Sequence, residues 1–354
     1  MRIPLLLGLL LVSIPLPSYG IPESSSELRV GVIAPVSGDF AGYGLGAVRA
    51  MKLANDSMPG IKLSLIVEDN RSCQAPDAVT AYHKLTQIDH VDAIVTFCTA
   101  AAQAVLPLAT AKKIPLFQLS EPGDDAAGYM LKLMPDSVAL LDRLAKELFK
   151  KYKTIALVAN TMDVNTGPRG SIPLITSAYE KLGGNVVFTR DFPDTEMDFR
   201  SIILQIRKSN AEAVVPFIWP VRQMAAFLTQ GDQLHLWPQV ALGGSLVFEF
   251  MYPELLKVYP ALAKKEGLES VNLAKTTSAN FIEAYRTRYN ETPPQFADYA
   301  FDAAAILKQC GLDRECSRAP RHGASGQLAF CAQGWRTATF ETKRLTDGKF
   351  IVVE

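Results

Sequence analysis

Short apolar runs rich in β-branched residues alternate along most of this chain with segments of helical period. Leu28–Ala34 is such a run, suited to a strand covered on both faces. Gly38, Gly42, Gly44 and Pro35 then break it into a loop. From Leu45 to Asn55 the apolar positions Leu45, Val48 and Met51 recur at helical spacing, with Lys52 and Asn55 off that stripe. The same alternation predicts strands at Ile61–Val67, Asp92–Thr96 and Ile114–Leu119, and helices at Ala75–Ile88 and Thr99–Lys112, the second interrupted at Pro107. A connecting strand, Tyr129–Leu133, ends this series.

The pattern then restarts. Helices are predicted at Val138–Lys150, Ile172–Leu182, Phe199–Lys208 and Gln223–Gln230, between strands at Thr154–Ala159, Val186–Thr189, Ala213–Phe217 and Val240–Leu242. Glu266–Leu273 reads as a return crossing, followed by helices at Ala279–Tyr289 and Tyr299–Gln309. Gly326–Glu354 alternates polar and apolar residues around a turn at Asp347-Gly348, as strands do. Two series of strands and helices argue for two parallel, doubly wound sheets. In such sheets ligands sit outside the carboxyl ends of the strands, where the loop Val36–Gly44 falls.

Length supports the division, because 354 residues exceed what one core sustains. Charge removes one class of function: 36 acidic and 36 basic residues cancel, so nucleic-acid binding has no electrostatic support. Met1–Gly20 carries Arg2, the apolar run Leu5–Val12 and small residues near Gly20, the pattern of a cleaved secretory signal. A retained membrane helix is the rival reading, opposed by Pro15 and Pro17. Five cysteines in an exported chain then point to disulfides with one thiol left over. A short loop favours Cys310 with Cys316, leaving Cys331 free; those three with His322 suggest zinc only weakly, since five residues separate Cys310 from Cys316.

Catalytic patterns are thin. Gly42-x-Gly44-x-x-Ala47 with Glu68 fits a relaxed dinucleotide fingerprint, but it starts well past the strand end at Pro35. No G-x-S-x-G elbow or H-E-x-x-H helix occurs, and His83, His90, His235 and His322 are scattered. Nothing nominates a metal, a cofactor or an acid–base pair, so the chain is not expected to be an enzyme.

The order Gly31, Val32, Pro35, Ser37, Gly38, Ala41, Tyr43, Gly44, Ala50, Leu53, Ala54 resembles the opening of the leucine/isoleucine/valine-binding proteins. These are type I periplasmic solute-binding proteins of ABC importers. Ala104–Leu116, Phe281–Pro293 and Ala297–Ala303 extend the resemblance over nearly the whole chain. It implies an α/β fold of two doubly wound parallel-sheet lobes joined by a multi-strand hinge. The N-terminal lobe would take 27–134 and 275–320, and the C-terminal lobe 135–274 and 321–354. It further implies a monomeric periplasmic protein that closes on a small amino acid, amide or carboxylate and delivers it to a membrane permease and ATPase complex. An exported ligand sensor of the same fold is the alternative, and a periplasmic oxidoreductase comes third.

Site residues follow from the same resemblance. A disulfide is implied between Cys73 and Cys98, and Thr99, directly after it, would bind the ligand carboxylate. A helix start there independently suits an anion, although a plain N-cap is the other reading. Ser120 falls near the family's second anchoring segment, with the match displaced along Gln118–Pro122. Tyr43 matches an aromatic that covers the ligand, and packing within its lobe is the competing role. Thr166 stands where relatives carry Tyr-Gly, so Trp219 would replace that aromatic wall. Ser245 occupies about the position where amino-acid binders offer a carboxylate to the ligand ammonium. Leucine, isoleucine and valine are therefore expected to bind poorly, unless Asp124 or Asp125 supplies the charge.

Overall fold

The computed structural model describes residues 27–119, 130–135, 137–161, 170–237, 239–245, 247–274 and 277–353. Met1–Gly20, Ser120, Asp124, Asp125 and Thr166 lie outside the described residues. The first series builds β1 (Leu28–Ala34), α1 (Ala41–Ser57), β2 (Leu63–Asp69), α2 (Ala75–Gln87), β3 (Ala93–Thr96), α3 (Thr99–Lys112), β4 (Leu116–Gln118) and β5 (Met130–Pro135). The continuous apolar runs become central strands: β1 lies between β2 and β3, with Val30 opposite Leu65 on one side and Ala93 on the other. All pairings in this sheet are parallel.

Pro107 does not end α3. Pro107 and Gln103, one turn earlier, both face solvent, so the carbonyl left without its N–H partner can be hydrated.

The second series supplies α4 (Ser137–Lys151), β6 (Thr154–Asn160), α5 (Ser171–Lys181), β7 (Asn185–Phe192), α6 (Arg200–Lys208), β8 (Ala213–Phe217), α7 (Val221–Gln233), β9 (Ala241–Leu242) and α8 (Val247–Val258). Its parallel sheet runs β7-β6-β8-β9. Alternation along β6 divides the core: Ile155, Leu157 and Ala159 join the layer of α4 and α5, while Ala156 and Val158 join that of α6, α7 and α8. The sequence reading gave no helix at α8. Its buried residues Phe248, Met251, Tyr252 and Leu255 do hold helical spacing, and Pro253 sits on the exposed side, where it is tolerated.

The chain returns through β10 (Glu269–Leu273) and adds α9 (Ala279–Tyr289) and α10 (Ala297–Cys310), which pack on α1. Next come α11 (Arg314–Arg318), the hairpin β11 (Arg321–Gly323) and β12 (Gly326–Leu328), and β13 (Trp335–Arg336). β13 pairs with β5, completing a six-stranded first sheet of order β13-β5-β4-β3-β1-β2. The stretch 321–336, expected in the second lobe, is thus hydrogen-bonded into the first, and the last crossing follows Arg336. β14 (Phe340–Thr346) and β15 (Lys349–Val352) then join β10 in an antiparallel sheet.

Two disulfides form, Cys73–Cys98 and Cys310–Cys316, and Cys331 remains a thiol. Among the described residues no helix is long and apolar enough to cross a membrane.

Candidate ligand-binding site

The carboxyl ends of the two parallel sheets face a shared cavity of about 290 Å³. Because every strand there leads into a helix, helix starts crowd its wall. Phe40 precedes α1, Ala75 and Pro76 open α2, and Thr99 and Ala100 open α3. From the second lobe come Ser171 of α5, Pro220 at the cap of α7 and Val247 of α8. Six helix dipoles present their positive ends to one space, a field that favours an anion.

The loop after β1 is built by Asp69 at the end of β2. Its carboxylate accepts from Val36 N at 3.0 Å, Ser37 Oγ at 2.5 Å and Arg71 N at 2.7 Å. Burial alone would raise this carboxyl, but the hydrogen bonds from Ser37, Arg71 and Val36 outweigh it and hold it below the ordinary carboxylate value. Gly38 turns the loop at φ 77°, and a Cβ at Gly44 would collide with the Pro35 carbonyl. Gly42, Gly44 and Ala47 lie inside α1, so no glycine loop stands between strand and helix to receive a pyrophosphate. Glu68 meanwhile pairs with Lys84.

Thr99 is the first residue of α3 and only 6 % exposed, on the cavity wall. Cys98 before it is extended, and the first bond within the helix runs from Ala102 N to Cys98 O at 3.0 Å. The Cys73–Cys98 bridge, with Cα atoms 5.6 Å apart, ties this start to the segment leading into α2. Two of the helix starts are thereby fixed to each other.

A chain of aromatic rings runs around the same cavity. Phe40 lies 6.4 Å from Tyr43 and 6.4 Å from Trp219 by ring centroids. Trp219 stacks on Phe250 at 6.4 Å, Phe250 meets Phe296 at 5.8 Å, and Phe296 meets Phe97 edge-on at 5.5 Å. All six line the cavity. Asn160, at the end of β6, donates to the Trp219 carbonyl and to Gln223 Oε1 at 3.0 Å, fixing where that indole starts. Phe296 adopts φ 70°, an unusual conformation for a bulky residue, as it enters α10. Burial, with Glu254 adding to it, raises the Tyr43 hydroxyl, so it stays protonated at neutral pH as a donor.

Tyr43, Thr99 and Trp219 therefore share one wall, whereas Ser245 does not reach it. Ser245 is fully buried behind β8, and its hydroxyl donates to Pro216 O at 2.8 Å. Ser120 is outside the described residues. Sequence reasoning missed Phe40, Phe97, Phe250, Phe296, Arg222 and Asp39. Phe97 was within reach, since it directly precedes Cys98 at a strand end; Phe250 and Phe296 carry no local signal. Among the described lining residues the charged side chains are Asp39, Asp194 and Arg222, and Arg222 bonds Asp39 across the mouth.

Comparison with known proteins agrees with this geometry. Residues 27–311 match the family model described as "Periplasmic binding protein". Leu/Ile/Val-binding protein homolog 8 of Brucella suis biovar 1 is 23 % identical over 306 residues, covering 80 % of this chain and 75 % of that protein. Homolog 7 from the same strain is 21 % identical over 299 residues, covering 77 % and 74 %. Among solved structures, a leucine-binding protein LivK from Thermotoga maritima superposes with a TM-score of 0.78 at 18 % identity, over 92 % of this chain and 98 % of that one. An ABC transporter solute-binding protein of R. palustris, crystallised with benzoate, gives 0.77 at 18 % identity, over 92 % and 95 %. The chain belongs to the periplasmic binding proteins, and within them to the type I proteins of the Leu/Ile/Val-binding family.

Proposed function

We propose that this protein is the substrate-binding component of an ABC importer and that its cleft takes a small carboxylate with an aromatic body. The observation that carries the ligand class is the pairing of a helix start at Thr99 with a run of contacting aromatic rings around one cavity. The helix starts suit the carboxylate, and the rings suit a flat apolar body. An ammonium group finds less: Asp39 is held by Arg222, leaving Asp194 as the other acid among the described lining residues. In support of this reading, solute-binding proteins of the same fold have been crystallised with benzoate and 4-hydroxybenzoate. Carriage would begin with export through Met1–Gly20 and end at a membrane permease, and the described lining residues offer binding groups suited to that role.

Native mass spectrometry of the purified protein, followed by calorimetry with benzoate, 4-hydroxybenzoate, leucine, isoleucine and valine, tests the reading. The aromatic acids should bind at least tenfold more tightly than the aliphatic amino acids. Tight leucine binding with no response to either benzoate would overturn the ligand class. Failure of a co-expressed permease complex to retain the liganded protein would overturn the importer role.

A further inference from the structure

A second cavity of about 290 Å³ lies on the hinge side of the cleft. Its wall includes residues near all three crossings between the lobes: Pro135 before α4, Leu273 on β10 and Lys343 on β14. Met134 and Phe250 line both cavities, so the Phe250 ring is a partition between them.

Asn272 of β10 is 4 % exposed and lines this hinge cavity. Its Nδ2 donates to Ser270 Oγ at 2.8 Å and to Glu249 Oε2 at 2.5 Å. A carboxylate can only accept, so Glu249 fixes which way the amide points. Asn272 Oδ1 is then a buried acceptor with no donor among the described residues. Native proteins seldom leave such an atom unmet without a water or a ligand. Lys343 is not its donor, being engaged by Glu249 at 2.6 Å and Glu341 at 3.0 Å.

We propose that the hinge cavity is a second small-molecule site, taking an uncharged compound that carries an N–H or O–H donor beside an apolar body. The donor meets Asn272 Oδ1. The body lies against Leu140, Phe281 and the hinge face of Phe250. Among the described lining residues charge does not call for an ion: Glu249 and Lys343 neutralise each other, and Asp298 and Arg286 contribute one charge of each sign. The site goes beyond the cleft reading and does not depend on which ligand the cleft takes. Because an occupant touches both lobes and the shared Phe250, its binding and that of the cleft ligand influence each other reciprocally.

Benzamide is a suitable probe. Crystals of the full mature chain soaked with it should show its amide beside Asn272 Oδ1. Calorimetry should find binding at least tenfold weaker in Asn272→Leu, which removes the acceptor, and in Leu140→Trp, which fills the space. Thr99→Ala should leave it unchanged. A single water against Asn272 Oδ1 in the soaked crystals would overturn the site. So would benzamide binding that survives both hinge substitutions, or that falls with Thr99→Ala and thereby belongs to the cleft.

Discussion

Arg222 and Asp39 meet across the mouth of the cleft, with Nη2 and Oδ2 3.2 Å apart. One stands in the first turn of α7 in the second lobe, the other in the loop between β1 and α1 of the first. Both are substantially exposed, so the pair is worth about 0–1 kcal/mol. It ties the two lobes together in this structure. Arg222→Ala should weaken ligand binding by up to about fivefold, chiefly through faster release. In calorimetry the wild type should lose the same increment at high salt, where such pairs are screened. Equal affinity of variant and wild type at low salt would remove the latch role.

The aromatic chain gives a sharper test. Trp219 touches Phe40 of one lobe and Phe250 of the other. Trp219→Ala should cost an aromatic carboxylate about 1.5–3 kcal/mol, roughly 10- to 150-fold in affinity. Trp219→Phe should recover most of it. A ligand indifferent to both substitutions does not lie against this ring.

The two disulfides should separate in their effects. Cys73–Cys98 closes 25 residues, and its loss should destabilise by about 3 kcal/mol in the chain-entropy model. Because it fixes the start of α3, urea unfolding and ligand titration of the paired serine variant should both respond. Cys310–Cys316 closes only 6 residues, far from the cleft wall, and its loss should lower stability less while sparing affinity. Non-reducing peptide mapping should recover Cys331 as the thiol.

Asp302 predicts a pH dependence. It is fully buried on α10 and accepts from Ala324 N at 2.5 Å, Ser325 N at 2.9 Å and Ser325 Oγ at 2.5 Å. Burial pushes its carboxyl up to about 6, despite those hydrogen bonds. Between the unfolded value near 4 and the folded value the native state holds more protons. Stability contributed by this group therefore falls as pH rises through that window, by on the order of 3 kcal/mol. Thermal melts of the wild type from pH 4 to 7, set against Asp302→Asn, should show the variant lacking this decline. Parallel curves would place the titration elsewhere.

Much of the fold was legible because strands covered on both faces must be continuously apolar. Leu28–Ala34 and Ala213–Phe217 were read within a residue, since burial dictates composition at every position. Helix α9 was read to both ends, with Ser278 accepting from Phe281 N as its cap. Where one rule stood for several, the reading slipped. Pro107 suggested a break in α3, yet its place on the solvent face let the helix run on.

The sequence by itself determined the repeated strand–loop–helix units and therefore that helix starts must cluster where the strands end. Thr99, at one such helix start, was reached partly on that ground, whereas Tyr43 was reached through the family resemblance. Only the tertiary structure decided which side chains meet across the cleft. Phe250 and Phe296 are 46 positions apart in the chain, and their contact depends on how two lobes are set against each other. Ser245 illustrates the converse: its chain position suggested the site, but the strand beside it turned its hydroxyl to the Pro216 carbonyl. The last crossing after Arg336 was hidden for the same reason. Two residues added to the edge of a sheet carry almost no periodic signal, and their place is fixed by the backbone of β5 that accepts them.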